Sequence, residues 1–433
     1  MSERSNNSMK PNFPANAINE MPSLVIGKRI CFRYFSTNVG QGQSAIDNRV
    51  SSGAYQHQLP RGPLGPSRRA GFNGQVVTVF GGTGFIGQAI VSRLCGIGCQ
   101  VILPYRCDPN YLGQYRLMGE LGQINFYPLD SKNPEHIERC IKYSNVVVNA
   151  LGKHWETRNF SFEDVHVRIS GEIAQACRRL NVNRLIHISA LNASPNPPSF
   201  YLKPSKYLIT KYQGEKAVLD AFPSAFIVRP SDVYGVNDWF LHYYYSNVRA
   251  RMNGSIPAYA KGRKTIKAPV SVHDVTTAIT RLCVDDDLPT QSGQYDLFGP
   301  KMYYLYDLLN YYLQCTLQDE ASVTYMRPLP FLKMILSAYS PVTKMVGLDR
   351  LEREFVSDKP TSDLQFSTLG ITPKPVTYYW PFMCRVMSRF VNRNYDANSV
   401  PDPKCLRPVD GIDVPAASIP SEKIISTNYE GYI

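Results

Sequence analysis

Through the middle of the chain, short β-branched and aliphatic runs alternate with longer stretches whose apolar residues recur every three or four positions. The runs at 76–80, 100–103, 124–129, 145–151 and 184–189 have the length and residue types of strands, while the stretches from Phe85 onward and at 134–143 and 162–180 have the helical period. Strand and helix in alternation predict an α/β fold, a doubly wound parallel sheet. After Asn237 the rhythm gives way to short aromatic-rich pieces, a strand-like run at 266–272, a helix from Asp274, and helical patterns at 305–317, 331–339 and 381–390. This predicts a smaller C-terminal lobe, 237–392, interleaved with the sheet. An extended tail follows at 393–433, where prolines recur without periodicity.

The first strand stops at Gly81, and the next residues read Gly82-Thr83-Gly84-Phe85-Ile86-Gly87. In a phosphate-binding turn Gly81 makes the tight bend, Gly84 lets backbone approach a pyrophosphate, and Gly87 lets the following helix pack on the strand. The helix that begins near Phe85 then aims its N–H groups and positive dipole end at the phosphates. Glycines also punctuate ordinary turns, but a strand before and a helix and second strand after make 75–236 a dinucleotide-binding domain. That second strand ends in Pro104-Tyr105-Arg106-Cys107-Asp108. A carboxylate placed first would chelate the ribose hydroxyls and select NAD, whereas an arginine fork pairs a 2′-phosphate. Arg106 comes first, which predicts NADPH; a solvated Arg106 with Asp108 on the ribose is the alternative. Asp130, closing the third strand, is placed for the adenine edge, and Ala150, with Leu151 and Gly152 closing the fourth, for the ribose, although either one alone reads first as an ordinary strand-end residue.

Charge and cysteine usage narrow the class. The net charge of +12 suits nucleic acid, an anionic membrane or an acidic partner. No recognition helix, zinc pattern, stacking sheet or long Lys/Arg run is present, so nucleic acid is excluded. Ten cysteines without a CxxC pair read as reduced and structural, and no metal site is predicted. The longest apolar stretch, 329–346, is broken by Lys333 and Lys344, so no membrane span is predicted. From 21 to 45 there is no acid, while Lys28, Arg29 and Arg33 sit among Leu24, Val25, Ile26, Ile30 and Phe32. That composition predicts a mitochondrial transit peptide, 1–35, cleaved after Phe35. Glu3 and Glu20 make Met21 an alternative start, and the Gly, Ser, Pro and Gln content of 36–74 predicts a linker.

Tyr207 and Lys211 stand one helical turn apart on one face. A lysine held there lowers the phenol pKa and can grip a nicotinamide ribose, which makes a tyrosine a general acid for hydride transfer. Alone the pattern is a solvated helix face; Glu215, Ser189 at the end of the fifth strand, and Arg229-Pro230-Ser231-Asp232-Val233-Tyr234-Gly235 give it weight. With these, residues 76–300 resemble the extended and atypical short-chain dehydrogenase/reductases.

The stretches at 81–87, 104–108, 145–149, 155–160, 162–165, 187–193, 214–216, 220–223 and 229–232, taken in order, resemble more closely the Rossmann-type accessory subunits of mitochondrial complex I. The likeness weakens through 369–373 and fades after Asn392. The resemblance implies tight NADPH binding on the matrix-side arm near the quinone region, peripheral contact with inner-membrane lipid, other complex I subunits as partners, and a structural role without NADH oxidation. Carried over residue by residue, Gly81, Thr83, Gly84, Phe85, Ile86 and Gly87 would hold the pyrophosphate turn and Arg106 the 2′-phosphate. Asp130, Ala150 and Pro230 would line the cofactor, and Tyr207 and Lys211 its nicotinamide end. Ser189 is followed by Ala190-Leu191 and lacks the paired hydroxyl residue of active relatives, which leaves Ser189, Tyr207 and Lys211 as vestigial catalytic candidates. The alternative is an active NADP-dependent reductase or epimerase on a small carbonyl or nucleotide-sugar. Under the first reading the aromatic runs 243–245, 303–304 and 378–380 form partner surface, although such runs are more often plain core.

Overall fold

The computed structural model describes residues 72–199, 203–244, 255–284, 292–315, 322–325, 348–380 and 406–409. The chain divides into two units, of which the second takes in the described residues other than Cys107–Pro109. The elements below belong to the second. The predicted transit peptide, the linker up to 71, the helical patterns at 331–339 and 381–390 and most of the tail lie outside the described residues.

Seven parallel strands form the sheet in the order β7-β6-β5-β4-β1-β2-β3. They are β1 (Val76–Phe80), β2 (Gln100–Tyr105), β3 (Ile124–Pro128), β4 (Val146–Asn149), β5 (Arg184–Ile188), β6 (Phe226–Pro230) and β7 (Gln294–Leu297). The strand order reverses between β1 and β4, and the carboxyl ends of the strands there flank the crevice where doubly wound folds bind ligands. On one face α2 (Pro134–Ile141), α3 (Ile169–Arg179) and α4 (Lys206–Ala221) cover the sheet, burying Phe80, Ile137, Val147, Ile173, Leu185 and Val218 in one cluster. Elsewhere α1 (Phe85–Ile97) packs against α5 (Val272–Val284). Local chemistry sets the helix starts: Asn133 accepts the Glu135 N–H at 3.0 Å ahead of Pro134, and Ser205 accepts that of Leu208 at 3.4 Å.

A second core joins Tyr234, Tyr243, Tyr244, Tyr311, Tyr312 and Trp380, drawn partly from α6 (Leu305–Cys315) and from the C-terminal α7 (Leu348–Phe355). The aromatic runs are therefore mostly interior: Tyr243 and Tyr303 are buried, and of the three runs only Tyr304 and Tyr378 are exposed among the described residues. The predicted strand at 266–272 breaks into Ile266–Lys267 and Val270–Ser271, because Pro269 has no N–H and the Ala268 N–H goes to Asp358 at 2.9 Å. The predicted helix at 162–180 opens with a π turn, Asp164–Arg168, before α3. No helix among the described residues is long and apolar enough to cross a membrane.

Candidate functional site

The turn after β1 is shaped for backbone contact. Gly81 has φ +76°, and a Cβ there would lie 2.6 Å from the Ala150 carbonyl oxygen. A Cβ on Gly87 would lie 2.2 Å from the Gly81 oxygen, so the closeness of helix to strand excludes any side chain. Gly84 donates its N–H to Gly81 at 2.9 Å and would place a Cβ 3.2 Å from the same oxygen. No side chain caps α1 at Gly84 and no acid stands in its first turn, which leaves the positive helix end facing the crevice. Thr83 is exposed, Ile86 is partly buried, and the Phe85 ring fills the space a Cβ on Gly235 would need. Ala150 donates its N–H to Phe80 at 2.9 Å, and the Pro230 carbonyl accepts from Leu191 at 3.0 Å. These two residues contribute backbone at strand ends. A bare glycine turn leading into an uncapped helix fits a pyrophosphate.

At the adenosine end, Arg106 follows β2 and is exposed. Its guanidinium carbon lies 4.9 Å from the centre of the Phe160 ring, with the Lys132 ammonium at 5.4 Å and the Lys153 ammonium at 5.0 Å from the same ring. Asp130 accepts the Lys132 N–H at 3.1 Å and its charge acts on Arg106. Lys153 donates from Nζ to the Thr157 hydroxyl at 2.8 Å. Burial first, and Arg106 second, push the Lys153 pKa down to about 8.

Tyr207 and Lys211 stand on α4 at the expected nicotinamide end. Lys211 is 3 % exposed and donates to the Ile188 carbonyl at 2.9 Å and the Leu151 carbonyl at 3.4 Å, tying the ends of β5 and β4 together. Burial holds it down to about 8, against the pull of Glu215. The Tyr207 phenol lies above its ordinary value, because burial outweighs the nearby Arg353 and Arg350 charges. Arg353 of α7 lies 4.1 Å over the Tyr207 ring, donates to the His154 carbonyl at 3.2 Å and is 8 % exposed. His154, Phe162 and His166 surround the same ring. Asp349 accepts from the Tyr207 N–H at 3.2 Å and the Ser205 hydroxyl at 2.9 Å, so α7 caps the helix that carries Tyr207. Ser189 is buried at the end of β5, and its hydroxyl has no partner among the described residues. Glu215 forms a buried pair with Arg229, at 2.9 and 2.5 Å, and serves the fold.

Sequence reasoning missed Arg353 and Asp349, which carry no local motif. It also passed over Lys132, Lys153 and Phe160. For the lysines the available signal was position, since each follows closely on a strand end, as Arg106 does.

Residues 77–287 match the NAD dependent epimerase/dehydratase family. NADH dehydrogenase [ubiquinone] 1 alpha subcomplex subunit 9, mitochondrial, of Mus musculus is 39 % identical over 77 % of this chain and 86 % of its own length. The NADH-ubiquinone oxidoreductase 40 kDa subunit, mitochondrial, of Neurospora crassa is 32 % identical over 72 % of this chain and 80 % of its own. Among solved structures, MoeE5 in complex with UDP-glucose and NAD superposes with a TM-score of 0.53 at 16 % identity, over 73 % of this chain and all of that one, which supports the fold. The glycine turn, the sheet order and these likenesses agree that the chain belongs to the alpha subcomplex subunit 9 family of mitochondrial NADH dehydrogenase (ubiquinone), built on a nicotinamide-dinucleotide fold.

Proposed function

We propose that this chain is an accessory subunit of mitochondrial complex I that keeps NADPH bound as a structural element and does not itself oxidise NADH. Membership in the complex rests on the family, whose members are named as subunits of that enzyme. The turn at Gly81–Gly87 and the α1 N-terminus would hold the pyrophosphate, Arg106 the 2′-phosphate, Asp130 and Ala150 the adenosine side, and Lys211, Tyr207 and Pro230 the nicotinamide end. A bound nicotinamide supplies hydride chemistry in related folds. Here the observation that carries a non-reacting role is the setting of Tyr207, with Arg353 over its ring and His154, Phe162 and His166 packed around it. A proton donor needs a pKa near the working pH, and the half-buried phenol lies above its ordinary value. This disfavours the reductase or epimerase alternative. The transit peptide, the basic balance and the absence of a spanning helix among the described residues support a peripheral position on the matrix side of the inner membrane, against other subunits and anionic lipid.

The test is native separation of mitochondrial extracts followed by denaturation of the isolated protein and identification of the nucleotide released. Expected are migration with the respiratory complex and release of NADPH. Release of NAD(H), or a wholly monomeric protein, overturns the reading.

A further inference from the structure

Three cations from three consecutive strand ends meet at one phenyl ring. Arg106 follows β2, Lys132 follows β3 and Lys153 follows β4, and all three stand within 5.4 Å of the Phe160 centre. The ring face attracts each of them weakly, while they repel one another, and the Arg106 charge opposes that of Lys153. Asp130 offsets part of the charge, which leaves an excess of about two positive charges to face an incoming anion. A phosphomonoester carries about that much negative charge at neutral pH. Beside Asp130 and Lys132 in sequence, the Ser131 hydroxyl is buried, 3 % exposed, and has no hydrogen-bond partner among the described residues. An excess of positive charge gathered from three strand ends describes a site prepared for an anion.

We propose that Lys132 and Lys153 join Arg106 as a three-cation cradle for the 2′-phosphomonoester of the dinucleotide, and that Lys153 takes up a proton when this group binds. The inference rests on the NADPH reading. Without ligand, Lys153 is half-protonated near pH 8. A dianion beside it favours the charged form, so the bound-state pKa is higher, and binding between the two values draws a proton from solvent. Affinity for the phosphorylated nucleotide is then fully present below pH 8 and falls as pH rises above it, by up to about tenfold per unit.

Several other charged and polar groups lie around Lys153. Thr157 accepts from its ammonium, and Arg106 and Lys132 share its ring. His166 accepts the Lys153 backbone N–H at 3.4 Å and is held well below its usual pKa by burial and by Lys211. Glu156 is exposed and 3.8 Å from Lys206.

The full-length chain, stripped of nucleotide, is titrated calorimetrically with NADPH and with NADH at pH 8.5, in two buffers of different ionisation heat, and dissociation constants are followed from pH 6.5 to 9.5. NADPH should take up most of one proton and NADH none. Lys153→Met should weaken NADPH about tenfold or more at pH 7, leave NADH unchanged as the check on folding, and abolish the uptake. Lys153→Arg should keep the preference for NADPH and lose the uptake, since a guanidinium does not titrate here. Lys132→Met should weaken NADPH alone. Equal proton uptake with both nucleotides would assign Lys153 to the pyrophosphate and overturn the inference. So would a preference that survives both methionine changes yet falls in Arg106→Met, an outcome that leaves the NADPH reading standing. Wild-type protein with no preference between NADPH and NADH would remove the reading itself.

Discussion

A phenol that gives its proton to a carbonyl needs a neighbour that lowers its pKa, and Lys211 is committed to two backbone carbonyls while the Tyr207 phenol lies above its ordinary value. Tyr207→Phe is therefore expected to leave complex assembly and quinone reductase activity intact in cells lacking the endogenous subunit. Normal assembly with lost activity would reveal a working reductase. Arg106→Ala should weaken NADPH by about 1.5–3 kcal/mol, the scale of a lost charge-assisted hydrogen bond, measured as the dissociation constant of the purified chain. The glycine turn could be read from the sequence because the atoms that crowd Gly84 and Gly87 belong to Gly81 and Gly82, within six positions along the chain. Arg353 and Asp349 could not, since the Tyr207 N–H and the carboxylate that caps it stand 142 positions apart. No local pattern records such a contact.

Among elements, the five strands read from hydrophobic runs are present with ends shifted by a few residues, whereas β6 and β7 were not read as strands at all. β7, Gln294-Tyr295-Asp296-Leu297, mixes polar and apolar residues because its buried carboxylate has a partner elsewhere: Asp296 accepts the Thr361 and Ser362 N–H groups at 2.7 and 2.8 Å. A second carboxylate, Asp274 at the start of α5, accepts the Lys374 N–H at 3.0 Å. Burial raises the Asp274 pKa to about 6, against Lys374 and Arg93. A carboxylate whose folded pKa lies above its unfolded one costs stability at pH 7.5, and the cost is relieved as pH falls from about 6 to about 4. Asp274→Asn, which keeps the acceptor and removes the charge, should stabilise the fold by on the order of 2–3 kcal/mol at pH 7.5 and by nothing near pH 4. Chemical denaturation at the two pH values measures it, and a loss of stability at pH 7.5 would mean that the charge itself is needed.

For the whole molecule, a resident nucleotide belongs to the stability of the chain. A ligand bound only by the folded state adds about 4 kcal/mol at a thousandfold excess over its Kd, a large share of a domain's net stability. Gly84→Val, which places a branched side chain where the pyrophosphate must come, is expected to lower the melting temperature of the purified protein and the amount of assembled complex; an unchanged melting temperature would mean that the nucleotide is dispensable to the fold. The fold class could be read from alternation alone, but the placement of the C-terminal segment could not, because it is fixed by buried ion pairs and aromatic packing between distant residues. The position of β7 also governs the order in which the protein can be made. The sheet gains its last strand only after residue 297 is available, and Asp296 finds its partners only once 361 and 362 have arrived. A chain emerging from its N-terminus must carry β6 with a bare edge through all of that interval, so productive folding waits on nearly the whole polypeptide and the unfinished sheet is the species that a chaperone would have to hold.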